Sequence, residues 1–152
     1  DAQESRGLGD VYKRQFMDGD DLHPQANIDK MTSGYPLNDE DRRPWLTNIA
    51  AWMAERADNG AVVACSALKH IYRDQLRKTC PDLVFVHLAG DRKIVAKRVE
   101  ARTGHFMPTS LIDSQYATLE PLAADEAGIT LNFDDTREEL TTMAATWLAD
   151  VN

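Results

Sequence analysis

Short, continuously apolar runs alternate along this chain with longer stretches in which apolar residues recur every three or four positions. The runs Ala61-Val62-Val63-Ala64-Cys65, Leu83-Val84-Phe85-Val86-His87-Leu88 and Ile129 to Phe133 read as strands covered on both faces, as in a parallel sheet. A further short strand starts at Phe16 and ends in the acidic cluster Asp18-Gly19-Asp20-Asp21. Between the strands the period predicts helices. One runs from Pro24 to Met31 and closes at Ser33-Gly34. The next has Asn38 as N-cap, acids in its first turn and Pro44 early, where a missing N–H costs least. Its stripe of Trp45, Leu46, Ile49, Trp52 and Met53 is core packing and continues until Asn59-Gly60 stops it. Others follow through Ile71, Tyr72 and Leu76, from Asp91 to Arg102, and from Pro108 to Leu119. The last starts at a capping box, Asp135-Thr136 with Glu139, and buries Leu140, Met143, Ala144, Trp147 and Leu148.

Strands alternating with helices of this length define an α/β fold with a largely parallel sheet and right-handed crossovers. Residues 1–15 carry no apolar period and are expected to be a non-native or disordered leader; residues 16–152 form a single domain. With 152 residues, 43 % of them hydrophobic, the chain can bury one compact core. A net charge of -8 argues against nucleic acid or an anionic membrane as the main partner, because both demand a positive surface. No apolar run approaches the length of a membrane span. Cys65 and Cys80 lack the density or spacing of a disulfide framework or zinc site and read as core thiols, so the expected location is cytoplasmic.

Ligands of open α/β sheets sit beyond the carboxyl ends of the strands. Asp18 and Asp20, Lys69 and Arg73, and Asp134 and Asp135 all fall on that rim. Asp18-Gly19-Asp20 alone reads equally as an acidic turn, its glycine letting the backbone bend. Facing a basic set, it suits phosphoryl transfer, with one acid orienting Mg2+ and another taking a proton from the attacking hydroxyl. Arg98 and Arg102, four apart before Gly104-His105-Phe106, look like a lid that closes arginines over phosphates, the alternative being a solvated basic face. His105 reads as a polar loop residue or as an acid or base.

The motifs Asp18-Gly19-Asp20-Asp21-Leu22-His23-Pro24, Asn27-Ile28-Asp29-Lys30-Met31, Pro36-Leu37-Asn38-Asp39-Glu40-Asp41-Arg42, Pro44-Trp45-Leu46, Cys65-Ser66-Ala67-Leu68-Lys69, Tyr72-Arg73-Asp74 and Gly104-His105-Phe106 resemble, in order, those of the bacterial gluconate kinases. The resemblance implies the P-loop kinase fold of shikimate and nucleoside monophosphate kinases, a three-layer sandwich. It implies transfer of the γ-phosphate of ATP to the 6-hydroxyl of D-gluconate, usually by a homodimer. It would place Asp18 on hydrated Mg2+ and Asp20 on the sugar-acid hydroxyls as base. Lys69 and Arg73 would hold the gluconate, with His23, Arg42 and His105 as further substrate contacts. Arg98 and Arg102 would be lid arginines on ATP, and Asp134 with Asp135 would lie near the adenine.

The family opens with an apolar strand and G-x-x-x-x-G-K-S/T, whose N–H groups and lysine cradle the ATP phosphates. No such pattern occurs in this sequence, in which Gly7-Leu8-Gly9-Asp10 is followed by no Gly-Lys-Ser/Thr. The chain is therefore expected to be a truncated kinase lacking its first strand and P-loop, on the order of 30 residues, and to be inactive as it stands. Two alternatives stay open: a kinase-like module that binds a sugar acid without turnover, and a metal-dependent hydrolase built on Asp18 and Asp20.

Overall fold

The computed structural model describes residues 14–94, 97, 109–132 and 137–151. Four strands and five helices are formed by them: β1 (Gln15–Asp18), α1 (Gln25–Thr32), α2 (Asp39–Ala54), β2 (Ala61–Ala64), α3 (His70–Thr79), β3 (Phe85–Ala89), α4 (Thr109–Thr118), β4 (Gly128–Asn132) and α5 (Arg137–Val151). A 3-10 turn, Gly19–Leu22, follows β1 directly.

Both ladders are parallel. β1 pairs with β2 in the register Phe16 to Val62, and β3 pairs with β4 in the register Val86 to Ile129. Side-chain alternation fixes the layers. Val63 and Phe85 pack against a cluster centred on Trp45, Leu46 and Ile49 of α2 and Tyr72 and Leu76 of α3. Their neighbours Val62 and Val86 face the opposite way, onto Leu131 of β4 and Leu140 and Ala144 of α5. Successive strand residues point to opposite faces, so the two strand pairs lie in one layer with helices on either side.

Among the described residues β2 and β3 share no ladder, and the layer consists of two separate parallel pairs. This explains a departure from the expected pattern: every residue of β2 and β3 is only partly buried, although their composition suits strands covered all round. The division falls between the second and third strands, where Val62 already touches the cluster of β3, β4 and α5.

Local chemistry sets most element ends. Asn38 accepts from Asp41 N–H and Asp41 accepts from Asn38 N–H, a reciprocal cap at 2.8 and 2.9 Å. α1 ends in a Schellman arrangement: Gly34, at φ +90, donates to Met31 C=O, and Tyr35 donates to Lys30 C=O. Three expectations are corrected. α2 ends at Ala54, five residues short of Asn59, because turns at Arg56 and Ala57 intervene before Gly60 takes φ +76. Pro44 is the sixth residue of α2, not in its first turn, so the helix forgoes the bond its N–H would have made to Glu40 C=O. In α5, Met143 is 37 % exposed while Thr141 is buried beside Leu140 and Ala144, so the buried stripe is one residue out of step with the apolar one.

Candidate active site

The rim at the carboxyl end of β1 is built on Gly19. A Cβ there would lie 2.6 Å from Ala64 C=O of β2 and 3.3 Å from Ile49 Cδ1. Close approach, not a special turn, is what requires glycine between the two acids. Asp18 Oδ1 accepts from Asp20 N–H at 3.0 Å and so caps the 3-10 turn that carries Asp20 and leads to His23. Trp45 of α2 donates through Nε1 to Gly19 C=O at 2.7 Å, tying the rim to the core helix.

A small cleft opens beside this turn. Asp20, His23, Arg42, Trp45 and Ser66 line one side, and Leu111 and Gln115 of α4 reach it from the other. His23 stacks on Trp45, ring centroids 4.3 Å apart and planes 12° from parallel. Burial, reinforced by the charge of Arg42, pulls the His23 imidazole down to about 4, so it is neutral at physiological pH. Arg42 donates to Tyr72 Oη at 2.7 Å, and Tyr72 Oη in turn donates to Asp39 Oδ1. Lys69 donates to the same Asp39 oxygen at 2.9 Å. The Tyr72 and Lys69 hydrogen bonds hold the Asp39 carboxyl below its usual range, and the Asp39 bond raises Lys69. Arg42, Tyr72, Asp39 and Lys69 therefore form one connected chain behind the cleft. Burial, with Asp20 and Asp18 adding, pushes the Cys65 thiol up and keeps it protonated, in keeping with a core thiol.

The structure brings Asp20, His23 and Arg42 into one cleft and links Lys69 to it through Asp39 and Tyr72. Arg73 is placed elsewhere. It is 3 % exposed, and its five N–H donors meet Glu126 twice and the carbonyls of Ala67, Leu68 and Pro121. Arg77 also meets Glu126, at 2.9 Å, so the basic face of α3 is largely committed to the fold rather than offered to an anion. Sequence reasoning missed Glu126, Tyr72 as the link between Arg42 and Asp39, and Trp45 as a wall of the site. The motifs Pro44-Trp45-Leu46 and Tyr72-Arg73-Asp74 carried a signal for Trp45 and Tyr72, and nothing in the sequence pointed to Glu126. Arg98, Arg102, His105, Asp134 and Asp135 lie outside the described residues.

Among the described residues no cluster of three or more His, Cys, Asp or Glu could hold a metal. Such a cluster is not what Mg2+ needs, since it keeps several waters and commonly takes only one or two carboxylates beside substrate phosphates. Asp18, with Oδ1 already accepting a backbone N–H, fits such an outer contact.

The fold is shared with solved kinases. A gluconokinase from Sinorhizobium meliloti 1021 superposes with a TM-score of 0.88 at 39 % identity, covering 98 % of this chain and 85 % of that one. Layers and parallel pairing are those of the small α/β kinases. By sequence, the chain is 47 % identical over 116 residues to the thermoresistant gluconokinase of Escherichia coli strain K12, covering 75 % of this chain and 66 % of that protein. It is 48 % identical over 122 residues to the gluconokinase of Gluconobacter oxydans strain 621H, covering 79 % and 68 %. The chain belongs to the gluconokinase family. It spans about two thirds of the length of these curated relatives. No family model matches it.

Proposed function

We propose that the cleft is the acceptor half of a kinase site that takes D-gluconate and, with ATP, yields 6-phosphogluconate. The observation that carries this reading is the convergence of Asp20, His23 and Arg42 at the carboxyl end of a parallel strand pair in a gluconokinase-family chain. Arg42 supplies a guanidinium whose planar fork suits a carboxylate. Its contact with Tyr72 Oη holds the group in place, and Lys69 adds positive charge behind it. Asp20 takes the proton of the 6-hydroxyl as the oxygen attacks. Trp45 and Leu37 give the cleft apolar walls that exclude water from the sugar chain. Asp18 would hold Mg2+ through water. Bound MgATP would supply the phosphoryl group and neutralise its charge. The remaining assignments stay part of the proposal: Arg98 and Arg102 on the phosphates, Asp134 and Asp135 near the adenine, His105 on the substrate, a homodimer and a cytoplasmic location. No helix among the described residues is long and apolar enough to cross a membrane.

A second reading is favoured by one observation. The sequence contains no G-x-x-x-x-G-K-S/T, which favours a kinase-like module that binds a sugar acid without turnover. Calorimetric titration of MgATP into the chain is expected to give no saturable heat. A clean isotherm with one nucleotide per chain would overturn the expectation that these residues lack a nucleotide site.

A further inference from the structure

Asn27 settles a question that the cleft alone leaves open, namely which nitrogen of His23 carries the proton. Asn27 is 5 % exposed, and its Nδ2 donates to Asp41 C=O at 2.8 Å. A carbonyl only accepts, so this bond fixes the amide with its NH2 toward Asp41. The same Nδ2 lies 3.3 Å from His23 Nδ1. Its second N–H therefore meets a ring nitrogen that must accept, which leaves the proton of the neutral ring on Nε2. The opposite tautomer would set two N–H donors against each other and turn a bare lone pair toward a carboxylate, because Nε2 faces Asp20 Oδ1 at 3.9 Å. The ring cannot easily turn to escape: it stacks on Trp45, which is itself anchored to Gly19 C=O, and the His23 side chain is 4 % exposed.

We propose that His23 is a positioning residue for Asp20: locked as the Nε2–H tautomer by Asn27 and Trp45, it aims one N–H at the Asp20 carboxylate and fixes the rotamer from which that carboxylate meets the sugar-acid hydroxyls. The neutral ring suits this role and not that of an acid. A separation of 3.9 Å is a polar contact, and a hydrogen bond requires approach by about 1 Å, a tightening common when ligand fills a site. The inference rests on the acceptor-site reading for its link to D-gluconate, but not for the tautomer.

Two variants separate positioning from packing. His23→Phe keeps the stack on Trp45 and removes both nitrogens; His23→Gln gives up the stack and keeps an N–H near the place of Nε2. In the 15N-labelled chain, long-range proton–nitrogen correlation is expected to show His23 Nε2 protonated and Nδ1 bare. The 13C shift of the Asp20 carboxyl should move in His23→Phe and stay closer to its parent value in His23→Gln. D-gluconate affinity should fall about tenfold in His23→Phe, the worth of one hydrogen bond to a charged group, and His23→Gln should recover most of that loss. An Nδ1–H tautomer, or affinity kept in His23→Phe and lost in His23→Gln, would overturn the proposal and make the ring a packing element. A parent chain that binds no D-gluconate would refute the acceptor reading, while the nitrogen and carboxyl shifts still decide the positioning role. Should His23→Phe not fold, as read by circular dichroism, the tautomer in the parent chain and the His23→Gln carboxyl shift decide it.

Discussion

Asp20→Asn is expected to lower turnover on the order of 10²–10⁴-fold in a form of the chain that carries a P-loop segment ahead of residue 16. The substitution is nearly isosteric and leaves the capping bond from Asp20 N–H to Asp18 untouched, because that bond uses the backbone. What is lost is the capacity to take a proton. A hydroxyl attacking phosphorus becomes more acidic as the new bond forms, so the base matters most in the transition state. Turnover should fall far more than gluconate affinity, because the amide oxygen can still accept from the sugar-acid hydroxyl but cannot take its proton. A coupled assay of nucleoside diphosphate release gives both constants. Near-normal turnover would leave Asp20 as a group that only positions substrate.

The second large effect concerns stability. Glu126→Gln is expected to cost on the order of 3–5 kcal/mol, the usual consequence of leaving a buried charge without its partner. Glu126 and Arg73 are 1 % and 3 % exposed at the side chain, and their bidentate pair joins α3 to the segment before β4. Arg77, Ala123 N–H and, at 3.7 Å, His70 Nε2 also surround the carboxylate. Against a typical domain stability of about 5–15 kcal/mol this loss should be plain in a urea melt. The exposed pair Arg43 and Glu40, 65 % and 76 % accessible, is the internal control. Glu40→Gln there should change stability by no more than about 1 kcal/mol.

The same carboxylate makes stability depend on pH with a definite sign. The hydrogen bond from Arg73, aided by Ala123 N–H and Arg77, holds Glu126 well below its ordinary value of 4.5 despite burial. The folded state thus binds its proton less readily than the unfolded one. The contribution of Glu126 is fully present above pH 4.5 and is lost as pH falls below it. In Glu126→Gln this part of the acid slope should disappear, and an unchanged slope would assign it to other carboxylates.

Elements were legible in the chain where the signal is local. The Asn38 and Asp41 cap and the Trp45, Leu46 and Ile49 stripe each involve residues within a turn or two of one another and appear as expected, and the apolar run of β2 forms its parallel strand, though less covered than its composition suggested. The acidic rim with His23 and Arg42 was legible as motifs. What could not be read is which charged side chains the fold consumes. Arg73 and Glu126 stand 53 positions apart, and nothing in α3 alone distinguishes an arginine folded back onto carbonyls from one held out to a ligand. The stack of His23 on Trp45 and the bridge from Arg42 to Asp39 through Tyr72 are likewise products of tertiary approach. Pro44 and Met143 show the limits of periodicity. Packing of the whole helix decides its end and its buried face, and a stripe drawn on sequence can be one residue out of step.

Calorimetric titration of D-gluconate into this chain tests the acceptor site most directly. Saturable binding of one ligand per chain is expected, weakened in Arg42→Lys, where a point charge replaces the guanidinium fork. D-glucose, which lacks the carboxylate, should give no comparable heat. Absence of saturable D-gluconate binding in a chain shown to be folded, or equal binding of the neutral sugar, would contradict the assignment of this cleft to a sugar acid.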